Sequence, residues 1–141
     1  MTKIPSQATK KKKSLLENLP EPTDKYKKKY ILFSYLDFDV KQSESFEDWQ
    51  KLELLAEKTN KFHHYSKLRL DEAFSDKFKI YKGFPEKCGY KFPETLSKDA
   101  KWCSMHIKGK ECVIGHIVEN IFYIVFLDKD HKFYPTEKKN T

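Results

Sequence analysis

Trp102–Pro135 reads WCSMHIKGKECVIGHIVENIFYIVFLDKDHKFYP. Three apolar runs rich in β-branched and aromatic residues follow one another with almost no spacer. A short polar tail carrying His131 and Tyr134 follows them. Runs of this composition and length are strands, and spacers this short join strands antiparallel, so the stretch predicts a three-strand meander.

Turn chemistry sets the register. Lys108-Gly109 or its neighbours turn the first hairpin, and Glu119-Asn120 turns the second, with Asn120 expected to take the positive φ. If Val118 faces Ile121, then His116 faces Tyr123 and Ile114 faces Val125. Alternation then sorts two faces. Val113, Gly115, Ile117, Phe122, Ile124 and Phe126 make a uniformly apolar face that should receive the helices. Cys112, Ile114, His116, Val118, Tyr123, Val125 and Leu127 make the other, which should look toward the open side.

Upstream, Tyr30–Phe38 (YILFSYLDF) is a strand candidate. Ser45 is a good N-cap, with Glu47 and Asp48 in the first turn, where a helix favours carboxylates. Trp49, Leu52, Leu55, Ala56 and Thr59 then follow helical spacing up to a stop at Asn60. A second helix is expected from about Asn60 to Leu70. Gly83, Pro85, Gly89 and Pro93 mark a surface-crossing loop. The expectation is an α+β domain with an antiparallel sheet ending in the meander. An N-terminal strand and one or two helices pack on one face.

Charge is distributed unevenly. Residues 1–29 hold nine lysines against three carboxylates, a net of +6, while the rest of the chain is near neutral at +1. The expected organisation is a disordered basic arm (1–29), one domain (30–135) and a flexible tail (136–141). The arm suggests a polyanionic partner or a solubilising segment. Arg69 is the sole arginine, so bidentate base readout is not expected. The longest apolar run, Ile121–Leu127, is far short of a membrane span, and no apolar stretch follows the basic start as in a secretory signal. Cys88, Cys103 and Cys112 are odd in number and too sparse for a disulfide framework. Together these features lead to the expectation of a cytoplasmic protein without a membrane partner.

Cys103-x2-His106 and Cys112-x3-His116 have zinc-like spacing, but strand positions three apart point to opposite faces, and five intervening residues cannot build a finger helix. No metal or other cofactor is therefore expected. Asp128-Lys129-Asp130-His131 reads as a turn with an Asx hydrogen bond. Acid–base chemistry on RNA remains. It needs a base for the 2′-hydroxyl, an acid for the leaving oxygen and cations for the phosphorane, and His, Tyr and Lys supply these without metal. The candidates are His116 beside Tyr123, the hairpin lysines Lys108 and Lys110, and His131, Lys132 and Tyr134 in the tail. A His beside a Tyr on a sheet is also a common half-buried structural pair.

The pattern of an aromatic-led strand, a Gly-Lys turn, a V-I-G strand, F-Y-I-V-F-L-D and D-H-K-F-Y-P resembles the end of the RelE/YoeB superfamily of bacterial mRNA interferases. FSYLDFD and the Trp-bearing helix after it are similar to the start of such chains. The resemblance spans roughly residues 30–135 and is strongest over Val113–Pro135. It implies a toxin of a toxin–antitoxin system that cleaves mRNA on the ribosome and is neutralised by an antitoxin protein. It places Lys110, His116, His131 and Tyr134 at the catalytic positions. Where related strands often begin with a basic residue, this chain has Cys112 after Glu111. Lys10, Lys11, Lys12, Lys13, Lys27, Lys28 and Lys29 of the arm, with Lys108, Lys132 and Arg69, are the expected nucleic-acid contacts. The competing expectation is a non-enzymatic nucleic-acid-binding or interaction module from a mobile-element or defence locus. The oligomeric state is not legible in the sequence.

Overall fold

In the computed structural model the described residues run from 6 to 135, and the expected tail over 136–141 lies outside them. The fold is α+β, with ten elements in chain order: α1 (Ser6–Glu17), α2 (Asp24–Lys27), β1 (Leu32–Ser34), α3 (Phe46–Lys51), α4 (Leu55–Tyr65), α5 (Leu70–Ala73), β2 (Phe78–Ile80), β3 (Lys101–Lys108), β4 (Glu111–Val118) and β5 (Ile121–Asp128). The strands form one sheet in the order β1-β5-β4-β3-β2. β3, β4 and β5 are the expected antiparallel meander, and β2 extends it antiparallel. β1 runs parallel to β5, so the sheet is mixed. The N-terminal strand is also shorter than expected, three residues instead of nine.

The second hairpin has the expected register as far as Gly115: Val118 pairs with Ile121, and His116 with Tyr123. A bulge between Ile114 and Gly115 then shifts it, so Ile114 pairs with Phe126, not Val125. Gly115 explains the shift, because a Cβ there would stand 2.2 Å from the Tyr123 carbonyl oxygen. Only glycine lets β5 approach so closely. Beyond the bulge the faces exchange. Leu127 joins the helix-side core, and Phe126 turns to the opposite face. At the second turn the positive φ (54°) falls on Glu119, not on Asn120.

The helices cover one face, as expected, and Trp49, Leu54, Tyr65 and Ala73 are buried there against Val113, Phe122 and Ile124. Ser45 caps α3 by accepting from the Asp48 N–H at 3.1 Å. The single helix expected up to Asn60 is broken. Leu54 N–H donates to the Trp49 carbonyl and Glu53 N–H to that of Gln50, a Schellman ending with Glu53 at φ 60°. The break lets Trp49 and Leu54 both reach the core, whereas Ala56 and Thr59 of the expected stripe are exposed. Asn60 lies inside α4, which takes the place of the second helix expected from Asn60. The arm, expected to be disordered, carries α1 and α2. Their described side chains are exposed, including Leu15 and Leu16.

Candidate functional site

The face opposite the helices is not open, contrary to the sequence-based expectation. The loop between β2 and β3 folds over its middle. Tyr90 stacks on Phe126 at 4.1 Å, and Phe84 and Phe133 pack on the fully buried Trp102. Two regions of that face remain, one at each end of β4, and they separate the expected site residues.

His116 sits at the β1 end. It is 7% exposed, its Nε2 lies 2.7 Å from Asp37 Oδ2, and its ring stacks on Tyr123. Asp37 is tied to the loop before α3, so the pair pins that loop to the sheet. With its carboxylate partner and almost no exposure, His116 serves packing here. It does not join His131, Lys110 and Tyr134.

The other end carries a cleft of about 410 Å³ between the edge strand β2, the β3–β4 hairpin and the tail. Lys77, Lys79, Tyr81, Ser104, His106, Lys110, Cys112 and His131 line it, with Asp76 also on its wall. A larger shallow hollow of about 550 Å³ lies along α3 and α4 and has neither an imidazole nor a lysine on its walls.

The tail is positioned by Asp128, which is fully buried. Its carboxylate accepts from Lys132 N–H (2.9 Å), Phe133 N–H (2.8 Å) and the Tyr90 hydroxyl (3.1 Å). The expected Asx turn is not formed: the Asp128 carboxylate reaches past the next three residues to the N–H groups four and five positions on, and it lies in the core rather than in solvent. Gly89 N–H donates to the Lys132 carbonyl at 2.7 Å and fastens the covering loop to the tail. Phe133 is buried as an anchor, and the residues on either side of it face outward.

His131 takes a positive φ of 59° in this turn, and its Nδ1 lies 2.9 Å from the Tyr134 carbonyl oxygen. A carbonyl can only accept, so Nδ1 carries the hydrogen, and in the neutral ring Nε2 is the bare nitrogen. Tyr134 is 48% exposed and stacks face to face on Tyr81 at 5.3 Å. Burial, as the largest effect, raises the Tyr81 pKa, and its hydroxyl is bonded to Ser104. Lys110 Nζ stands 3.6 Å from Asp130, whose carboxyl is held below its ordinary range chiefly by its hydrogen bond from Lys129. His106 Nε2 is bound to the Gly109 carbonyl at 2.6 Å, and its Nδ1 is enclosed without a partner. Neither nitrogen of His106 is free for a substrate in this arrangement.

Burial pushes all three thiols up, Cys103 to about 12, so none is a ready nucleophile. Cys103 faces the helix-side core while Cys112 faces the cleft. Among the described residues no three His, Cys, Asp or Glu side chains gather to hold a metal ion. No described helix is long and apolar enough to cross a membrane.

Of the expected nucleic-acid contacts, Lys108 and Lys132 are exposed near the cleft, and Lys132 Nζ also lies over the Tyr90 ring. Arg69 stands apart, between Asp71 and Glu72. Lys10–Lys13 fall on α1, Lys27 ends α2, and Lys28 and Lys29 follow it. Lys77, Lys79, Tyr81 and Ser104 were missed by sequence reasoning. The alternation in Lys77-Phe78-Lys79-Ile80-Tyr81 is a strand signal that would have placed both lysines on one face. Comparison with protein-family models, curated proteins and solved structures finds no match for this chain.

Proposed function

We propose that the chain binds single-stranded RNA along the β2-edge cleft and cleaves it by metal-independent acid–base chemistry, as a RelE-like mRNA-cleaving toxin would. The observation that carries this reading is the gathering of Lys77, Lys79, Lys110, His131 and Tyr81 around one cleft, with Tyr134 at its rim. Lysines supply point charges for phosphates, and exposed aromatic faces supply stacking surfaces for bases. In the proposed reaction His131 Nε2 takes the 2′-hydroxyl proton and the 2′-oxygen attacks phosphorus. The P–O5′ bond breaks, leaving a 2′,3′-cyclic phosphate. Tyr134 protonates the departing 5′-oxygen, and Lys110 offsets charge on the phosphorane. A partner protein that covers the cleft would act as the antitoxin, and mRNA on the ribosome would be the natural substrate.

The test is incubation of labelled single-stranded RNA with the purified chain in chelator, beside His131→Ala and Tyr134→Phe. Cleavage to cyclic phosphate ends by the parent, reduced at least a hundredfold in His131→Ala, is the expected result. Intact RNA with parent protein of confirmed fold refutes the enzymatic reading.

A second reading, a non-enzymatic nucleic-acid-binding module, is favoured by one observation. His131 is the only imidazole on the cleft with a nitrogen left unengaged, since His106 is engaged or enclosed at both nitrogens and His116 is remote. On that reading RNA binds at the cleft without being cut. Replacing Lys77 and Lys79 then lowers the slope of log affinity against log salt by about 0.7 per lysine.

A further inference from the structure

Two apolar surfaces of this chain are left uncovered. One is on and just beyond α1, where Leu15, Leu16 and Leu19 are 72%, 64% and 64% exposed. Leu15 and Leu16 are adjacent on the last turn of α1, and Leu19 follows two residues after its end. Lys12 and Lys13 stand exposed beside them. The other surface lies at the β1 end of the sheet, on the face away from the helices. Leu32, Ile121 and Val118 are lateral neighbours there across β1, β5 and β4. Leu32 is 56% and Val118 51% exposed, and Leu36, just beyond β1, is 80% exposed. Glu119, exposed, follows Val118 in the turn and puts a carboxylate at the rim of this patch, while Asp37 after Leu36 is engaged by His116.

We propose that the two surfaces cover each other in a homodimer. The α1 leucines of one copy lie across Leu32, Ile121 and Val118 of a second, and the exchange is reciprocal. Four physical arguments converge on this occupant. A helix of twelve residues is at the margin of stability in water without burial of its apolar side. The exposed lysines Lys12 and Lys13 of the helix can meet Glu119 at the rim of the patch. The arm leaves the body at Tyr30, held there by Asn120 Nδ2 on the Tyr30 carbonyl at 2.7 Å, and Asn120 lies between Glu119 and Ile121. A two-fold axis beside the patch therefore brings each arm to its partner's patch, which closes the exchange at two copies. The connecting segment 18–29, with α2 inside it and the rest extended, reaches up to about 33 Å. An anionic lipid surface or a nucleic acid would answer the lysines of α1, but either would leave Leu32, Leu36 and Val118 bare.

The test is the solution mass of the full chain by light scattering. It is run on the parent, on Leu15→Glu/Leu16→Glu and on Val118→Lys, with circular dichroism to confirm that each is folded. All three substitutions are at exposed positions. The expected result is a dimeric parent and two variants of half its mass. Mixing the two variants restores dimer, because the helix of the Val118→Lys copy finds the intact patch of the other. A monomeric parent, or a dimer that survives both sets of substitutions, overturns the proposal. So does a chain that binds phosphatidylglycerol vesicles, loses that binding in Leu15→Glu/Leu16→Glu and keeps it in Val118→Lys, because the helix would then belong to lipid.

Discussion

At the scale of single residues, buried polar groups do the positioning. Asp128 gathers three donors around a fully buried carboxylate with no cation against it. Asp128→Asn keeps the shape but removes the charge and part of the accepting capacity. It should lower unfolding free energy in urea by about 2 kcal/mol and make the tail sensitive to limited proteolysis. On the proposed reading, His116 and His131 divide stability from chemistry. His116→Ala leaves Asp37 without its partner and should lower stability by about 1–3 kcal/mol, without loss of the RNA binding proposed for the cleft. His131→Ala should leave the melting temperature nearly unchanged. Lys58 is 5% exposed, with Nζ 4.6 Å from the Phe62 ring centroid, 5.1 Å from that of Tyr35 and hydrogen-bonded to the Tyr35 hydroxyl. Its attraction to the rings opposes its desolvation, so Lys58→Met should shift stability by no more than about 1 kcal/mol in either direction. A large loss on thermal melting would show that the cation itself holds the loop before α3.

At the scale of elements, period-two alternation made the meander legible in the sequence, and its helix-side face from Val113 to Ile124 but not at Phe126 and Leu127. The bulge was not, because it arises where β5 crosses Gly115, and a lone Gly inside a strand marks a bend without giving its phase. Gly115→Ala forces a Cβ to 2.2 Å from the Tyr123 carbonyl oxygen. It should cost about 3 kcal/mol or more in chemical denaturation. The α3–α4 break was equally hidden, since its left-handed position is held by Glu53 and no glycine announces it. Glu53→Gly relieves φ 60° and should raise stability by about 1 kcal/mol, read as a higher denaturant midpoint with unchanged slope.

At the scale of the molecule, the two sides of the sheet are both packed, one by helices and one by the β2–β3 loop with Phe133. Burial raises Cys103 from 9.0 to about 12, and burial with Asp76 raises Tyr65 from 10.0 to about 12. Each folded pKa lies above its unfolded value, so the contribution is whole below the unfolded pKa and is lost as pH rises through the window. Stability should therefore fall progressively from pH 9 to 12, as urea midpoints across that range would report, with the three raised thiols acting before Tyr65. The covering loop also decides the candidate site. It closes the middle of the face that carries His116, and leaves His116 and the tail's His131 at opposite ends.

The sequence by itself determined the α+β class, the three-strand meander, the helix-side face as far as Ile124, the Ser45 cap and the concentration of lysine in the arm. All of these are local: alternation, turn residues, a cap and composition are readable within a few residues of chain. Only the tertiary structure decided that β1 runs parallel to β5, that the far face is roofed, and that Lys77, Lys79 and Tyr81 join His131 and Lys110 while His116 turns to Asp37. Those outcomes depend on contacts between residues distant in the chain, such as Asp37 with His116 and Gly89 with Lys132, and no local pattern encodes which distant groups meet.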